Sequence, residues 1–244
     1  MTVTALSIAG SDPSGGAGIQ ADLKSFSANG AYGMCVITAL TAQSTLGVTG
    51  VHAVPVDFVR AQLDTLLDDI APDATKIGML ATAGLARAVG DYLPRLTGTV
   101  LDPVMVATSG DALLDEDAVD EVRRLCTVAE LITPNLPETA VLLGADPATG
   151  IDELVDQARA VLADEEAGVA RARFVVVDND PDAGARETAR AVRAAIAEEP
   201  GADEIGPHYA HEPVPGITAA RNRALDEASG ARLLAFIDDD ELTR

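Results

Sequence analysis

Residues 5–45 read ALSIAGSDPSGGAGIQADLKSFSANGAYGMCVITALTAQST. The apolar run Val3 to Ala9 breaks at Gly10 into Ser-Asp-Pro-Ser-Gly-Gly, and apolar residues then return at helical spacing as Ile19, Leu23 and Phe26. That order predicts strand, loop, helix. Asn29-Gly30 supplies a helix end that tolerates positive φ. A second apolar run, Val36 to Ala42, predicts a second strand ending on Gln43 and Ser44. In an open parallel sheet the ligand sits beyond the carboxyl ends of the strands, so Gly10 to Gly18 and Gln43 are expected to line one crevice. Gly15, Gly16 and Gly18 let the backbone approach a ligand closely. No Gly-Lys-Ser/Thr follows them, so the loop is not a Walker loop.

The rest of the chain repeats the alternation. Val48 to Val54 is β-branched and short, an edge strand or hairpin arm. Val59, Leu63, Leu66, Leu67 and Ile70 mark a helix from Asp57, and Ala74 to Met79 reads as a buried strand. A helix with Leu85, Val89, Tyr92 and Leu93 follows, then a strand end at Thr99 to Leu101 before Asp102-Pro103. Ala118, Val122 and Leu125 make another helical face. Leu131 to Thr133 enters Pro134-Asn135-Leu136-Pro137-Glu138, with Pro137 suited to a helix first turn and Gly144 to its end. Residues 151–162 carry the clearest amphipathic spacing. The pattern predicts an α/β fold, doubly wound around a mostly parallel sheet.

Composition narrows the function. The 244 residues carry a net charge of −22, and aromatics make up only 3% with no Trp. A phosphate backbone would be repelled, and stacking platforms for single strands are scarce, so nucleic acid is not the expected partner. Cys35 and Cys126 are too few for a disulfide framework and lack metal-ligand spacing; both are expected to be reduced core residues. No apolar run approaches the ~20 residues needed to cross a bilayer, and the N-terminus lacks the basic and apolar regions of a signal peptide. A cytoplasmic protein without a membrane partner is expected.

Residues 4–163 closely resemble the hydroxymethylpyrimidine and phosphomethylpyrimidine kinases of thiamine biosynthesis, a ribokinase-like family. The resemblance rests on AGSDPSGGAGIQADLKSFSANGAYG, VITALTAQST, TKIGML, LDPVM with SGDALL, and LITPNLPE. It implies ATP- and Mg2+-dependent phosphorylation of 4-amino-5-hydroxymethyl-2-methylpyrimidine and then of its monophosphate. It also implies that Gln43 hydrogen-bonds the pyrimidine edge, that Gly10 and Val106 offer backbone contacts, and that Met79 packs on the ring. Asp22 would reach the substrate side, Asp102 and Glu138 would organise Mg2+, and Asn135 would approach the nucleotide. Family members often dimerise through the small strands near Val48, so a homodimer is implied too.

Those roles suit the chemistry. Phosphoryl transfer passes through a loose transition state that asks for metal, oriented donors and in-line geometry. Mg2+ keeps several waters and takes one or two carboxylates. An amide offers both donor and acceptor to an aminopyrimidine edge. The family's later Lys-Gly-Gly-His and Gly-Thr-Gly-Cys segments have no counterpart after Glu138. No catalytic base or anion-binding glycine loop is therefore identified, and the chain is expected to bind pyrimidine better than it phosphorylates it.

From about residue 164 the texture changes. Residues 173–244, with FVVVDNDP, HEPVPGITAARNRALDEASG and LLAFIDDDE, resemble the nucleotide-sugar half of GT-A glycosyltransferases. That resemblance implies Asp178 near a nucleotide and Asp238 and Asp240 as an Asp-x-Asp cation pair. Asp238 to Asp240 read equally well as an acidic tail near the chain's end. The expected division is a kinase-like portion at 1–165 and a short α/β segment at 166–244, with Phe174 to Val177 continuing the kinase sheet. Lys24 is expected to be a solvated surface charge, and His208 and His211 carry little weight as metal ligands. Three functions compete: a pyrimidine kinase, a nucleotide-sugar binder, and a non-catalytic pyrimidine-binding chain that works with another subunit.

Overall fold

The computed structural model describes residues 2–105, 117–146, 157, 174–178 and 207–211. The chain falls into two compact units, Met1–Pro134 and Asn135–Arg244.

In the first unit a five-stranded sheet has the order β2-β1-β5-β6-β7. Its strands are β1 (Thr4–Ala9), β2 (Tyr32–Ile37), β5 (Ala74–Ile77), β6 (Thr99–Leu101) and β7 (Leu131–Ile132), and every neighbouring pair is parallel. Between them run α1 (Gly18–Ala28), α2 (Val56–Leu67), α3 (Ala83–Tyr92) and α4 (Ala118–Cys126). The α/β fold with a mostly parallel sheet is as expected. Leu6, Ile8, Ile77, Leu101 and Ile132 of the strands and Val59, Leu63, Leu85, Val89 and Leu125 of the helices are buried. Burying each such side chain contributes about 1.5–3 kcal/mol, so the core behind the strand ends is a firm platform.

The helix ends follow their local chemistry. Gly30 closes α1 at φ 77°, and Thr82 caps α3 by accepting from the Leu85 N–H. The run Val36 to Ala42 departs from expectation, because it is two strands and not one. Thr38 is fully buried, and its N–H and hydroxyl donate to the Ala9 and Met79 carbonyls. The chain there leaves the sheet for an antiparallel hairpin of β3 (Ala39–Ser44) and β4 (Gly47–Ala53). The hairpin arm expected near Val48 is β4.

In the second unit, α5 (Leu136–Leu143) is followed by β8 (Phe174–Asp178) and β9 (Pro207–His211). Asn135 and Glu138 form a capping box, and, as the sequence predicts, Pro137 lies in the first turn and Gly144 ends α5 at φ 65°. β8 pairs in parallel with β9, from Phe174 opposite Pro207 to Asp178 opposite His211. This corrects the expectation that Phe174 to Val177 extends the kinase sheet. Among the described residues, β8 belongs to a two-stranded sheet with β9. Val106, Asp238, Asp240 and the amphipathic stretch 151–162, apart from Gln157, lie outside the described residues. Among the described residues no helix is long and apolar enough to cross a membrane.

Candidate functional site

The glycine loop after β1 is built around Asp12, a buried carboxylate. Its Oδ1 accepts from the Ser14 N–H at 2.8 Å, and its Oδ2 from the N–H groups of Gly16 at 3.0 Å and Ala17 at 2.8 Å. The Ser14 hydroxyl donates to the same carboxylate. Burial alone would raise the Asp12 carboxyl, but the Ser14 hydroxyl and the N–H groups of Ala17, Ser14 and Gly16 hold it below its ordinary value. These N–H groups precede α1, where an anion is favoured. The protein's own carboxylate fills that role, so the loop is a closed structural turn.

Two further contacts tighten it. A methyl group on Gly18, whose φ is +57°, would lie 2.4 Å from the Gly10 carbonyl oxygen. The Lys24 ammonium donates to the Gly15 carbonyl at 2.8 Å. Lys24 is exposed as expected, but it latches the loop and is not merely solvated.

Around the ends of β1 and β5, Gly10 meets Met79 and Ala39. A methyl group on Gly10 would lie 3.2 Å from the Met79 sulfur and 3.6 Å from the Ala39 carbonyl oxygen. Met79 is buried, and its carbonyl accepts from Thr38 at 2.6 Å. Ser11 donates its N–H to Ala39 and accepts at its carbonyl from the Thr41 hydroxyl at 2.7 Å. That hydroxyl also lies 3.2 Å from Gln43 Oε1. Gln43 is half-buried, just past a register shift between Ala42 and Gln43. A bulge of this kind re-aims a side chain. Gln43 is therefore carried by a hairpin arm, not by the end of a parallel strand. Two residues after Met79, Ala81 has φ 58°, a conformation that costs a non-glycine residue about 1–2 kcal/mol.

A second, charged group lies beside these residues. Asp22 of α1 accepts from the Ser7 hydroxyl at 2.6 Å and from Lys76 Nζ at 3.1 and 3.2 Å. Lys76 Nζ is also 3.5 Å from Asp102 Oδ2. The Asp102 N–H donates to the Ile77 carbonyl, which fixes the residue just past β6. Sequence reasoning singled out Asp22 and Asp102 but missed Lys76. Its signal was a lone lysine inside the otherwise uncharged strand ATKI, where an ammonium requires counter-charges.

In the second unit, Asn135 Oδ1 accepts from the Glu138 N–H, and Glu138 Oε2 accepts from the Asn135 N–H, both at 2.9 Å. Glu138 is buried. Asp178 ends β8. Among the described residues no three His, Cys, Asp or Glu side chains are grouped to hold a metal.

Residues 12–176 match the model of the phosphomethylpyrimidine kinase family. The match takes in Phe174 to Val176, the start of the stretch that resembled a glycosyltransferase. The chain is 55% identical over 164 residues to the hydroxymethylpyrimidine/phosphomethylpyrimidine kinase of Salmonella typhimurium, covering 66% of this chain and 62% of that one. It thus spans under two thirds of that relative's length. The crystal structure of phosphomethylpyrimidine kinase from Clostridium difficile 630 superposes with a TM-score of 0.61 at 40% identity, over 66% of this chain and 71% of that one. Pyridoxal kinase from Staphylococcus aureus, in complex with AMP-PCP and pyridoxal, superposes with a TM-score of 0.59 at 33% identity, over 66% and 58%. With more than half its length matched by the family model, and with the same α/β architecture as these vitamin kinases, the chain belongs to the phosphomethylpyrimidine kinase family.

Proposed function

We propose that this chain binds 4-amino-5-hydroxymethyl-2-methylpyrimidine and carries the ATP-dependent phosphorylation of that alcohol, and then of its monophosphate, in thiamine biosynthesis. The observation that supports this is the packing of Gly10 against Met79, with Gln43 linked to the same loop through Thr41 and Ser11, in a chain matched by the family model over residues 12–176. Gln43 would meet the aminopyrimidine edge and Met79 the ring, while Gly10 keeps the floor open. Val106 is proposed for a backbone contact. Asp22 would receive the alcohol proton as a hydrogen bond.

ATP is supported by the AMP-PCP complex of the staphylococcal relative. Mg2+ fits the oxygen chemistry of Asp102, one third exposed at its side chain. With no three-residue cage among the described residues, the ion would complete its shell with water and phosphate, as Mg2+ commonly does. Bound there, it would neutralise charge on the transferring phosphoryl group. On the same resemblance Asn135 is proposed for the nucleotide and Glu138 for the metal. Asn135 Oδ1 serves the capping box, so Nδ2 is the atom it would offer.

We place the kinase-like portion at residues 1–165 and a further segment at 166–244. A cytoplasmic enzyme of small molecules, without nucleic-acid or membrane partners, accords with a charge of −22. The β3–β4 hairpin, with exposed Leu40, Leu46 and Val51, is proposed as the surface of a homodimer. The nucleotide-sugar reading through Asp178, Asp238 and Asp240 is less favoured, because the family match runs into β8.

Coupled-enzyme turnover with the pyrimidine alcohol and Mg-ATP tests the proposal. ADP release that depends on the alcohol and falls with Asp102→Asn supports it. Alcohol-independent ADP release, unchanged in that variant, refutes it.

A further inference from the structure

We infer that Lys76 is a positioning residue, whose ammonium aims the Asp22 carboxylate at the substrate alcohol and sets apart the two acids of the site. This rests on the pyrimidine-binding reading above. Lys76 stands opposite Ser7 in the β1–β5 register, and Asp22 touches both, so Ser7, Lys76 and α1 share one face of the sheet.

The space for this arrangement is built in. A methyl group on Gly78 would lie 3.2 Å from Lys76 Nζ and 3.1 Å from Ala9 Cβ, so glycine two residues on leaves room for the lysine to run towards the strand ends. The Lys76 and Asp22 side chains are only 24% and 15% exposed. Their charges are thus held partly out of water. Pairs of this kind are a weak source of stability, because desolvation offsets attraction. Geometry offers the better account of its place here.

A carboxylate has four acceptor positions. Ser7 takes one on Oδ2, and Lys76 takes one on each oxygen. Among the described residues one position on Oδ1 remains, with the carboxylate's rotation fixed by two elements of the sheet. An alcohol proton would find a single, oriented acceptor. On its other side Lys76 lies 3.5 Å from Asp102, so one cation separates the acid proposed for the alcohol from the acid proposed for the metal.

The test is calorimetric titration of the full chain with two pyrimidines: the hydroxymethyl compound and 4-amino-2,5-dimethylpyrimidine, which lacks only the hydroxyl. The wild type should prefer the alcohol. In Lys76→Met the alcohol should bind about tenfold or more weakly, the scale of one hydrogen bond to a charged group, while the dimethyl compound is held within about twofold. Lys76→Arg should recover most of the preference. If Lys76→Met does not fold, Asp22→Asn carries the same comparison and should lose the preference. The inference is overturned if Lys76→Met keeps the wild-type preference, or if it loses both ligands in equal measure, as a purely structural residue would. Wild type binding neither pyrimidine would remove the proposed function together with the inference. Wild type binding both equally would overturn the inference alone.

Discussion

Replacing Asp12 by asparagine should loosen the glycine loop by an amount that can be worked from its contacts. Four donors converge on the carboxylate: the Ser14 N–H and hydroxyl on one side, and the Gly16 and Ala17 N–H groups on the other. Asparagine keeps one acceptor oxygen and turns the other position into a donor. At best the oxygen stays with Gly16 and Ala17, and the Ser14 N–H then faces an NH2 group. One stranded donor costs about 1–3 kcal/mol, and loss of negative charge at the start of α1 costs about 0.3–1 kcal/mol. A total near 2–3 kcal/mol should lower Tm by about 5–10 °C in a chain of this size.

The pH dependence has a defined sign. Asp12 is held below its ordinary value of 3.8, so its ionised-state stabilisation is complete above that value and is lost as pH falls through the folded-state pKa. The gap in Tm between wild type and Asp12→Asn should therefore be full at neutral pH and narrow in acid. Thermal melts followed by circular dichroism at several pH values read both. A gap below about 1 °C at neutral pH, or one that widens as pH falls, would refute the reasoning.

Two other substitutions probe the platform behind the site. Among the described residues the buried Thr75 hydroxyl has no hydrogen-bond partner, so Thr75→Val should raise Tm by about 2–4 °C, the scale of 1 kcal/mol; a fall of that size would contradict the packing described. Gly18→Ala would place a methyl group 2.4 Å from the Gly10 carbonyl oxygen at φ +57°, and should cost more than about 2 kcal/mol in denaturant titration; wild-type stability would contradict the close approach of loop and helix.

The alternation of strand and helix was legible because each element announces itself locally. Gly10 breaks a strand, Gly30 and Gly144 end helices at positive φ, and Pro137 marks a helix first turn. The division of Val36 to Ala42 was not legible. Thr38, Ala39 and Leu40 all suit a strand, and what separates β2 from β3 is a tertiary event, the burial of the Thr38 hydroxyl against the Met79 carbonyl. Gln43 stands out in the sequence as a polar residue at a strand end, but its setting on a bulged hairpin depends on the pairing of β3 with β4. The role of Asp12 was not legible, since three of its four donors are backbone N–H groups that no side-chain pattern reveals. Lys24 looked like surface because helical periodicity does not show that its ammonium folds back on Gly15. The pairing of Phe174 to Asp178 with Pro207 to His211 joins segments about thirty residues apart, a choice that β-branched composition alone leaves open.

The proposed function stands on recognition of an aminopyrimidine alcohol by the polar edge at Gln43, which reaches the Gly10 loop through Thr41 and Ser11. Calorimetric titration of that compound into the wild-type chain and into Gln43→Ala tests it most directly. Saturable one-to-one binding to the wild type and a loss of about tenfold or more in the variant are expected; no binding to the wild type, or equal binding to both, would rule that recognition out.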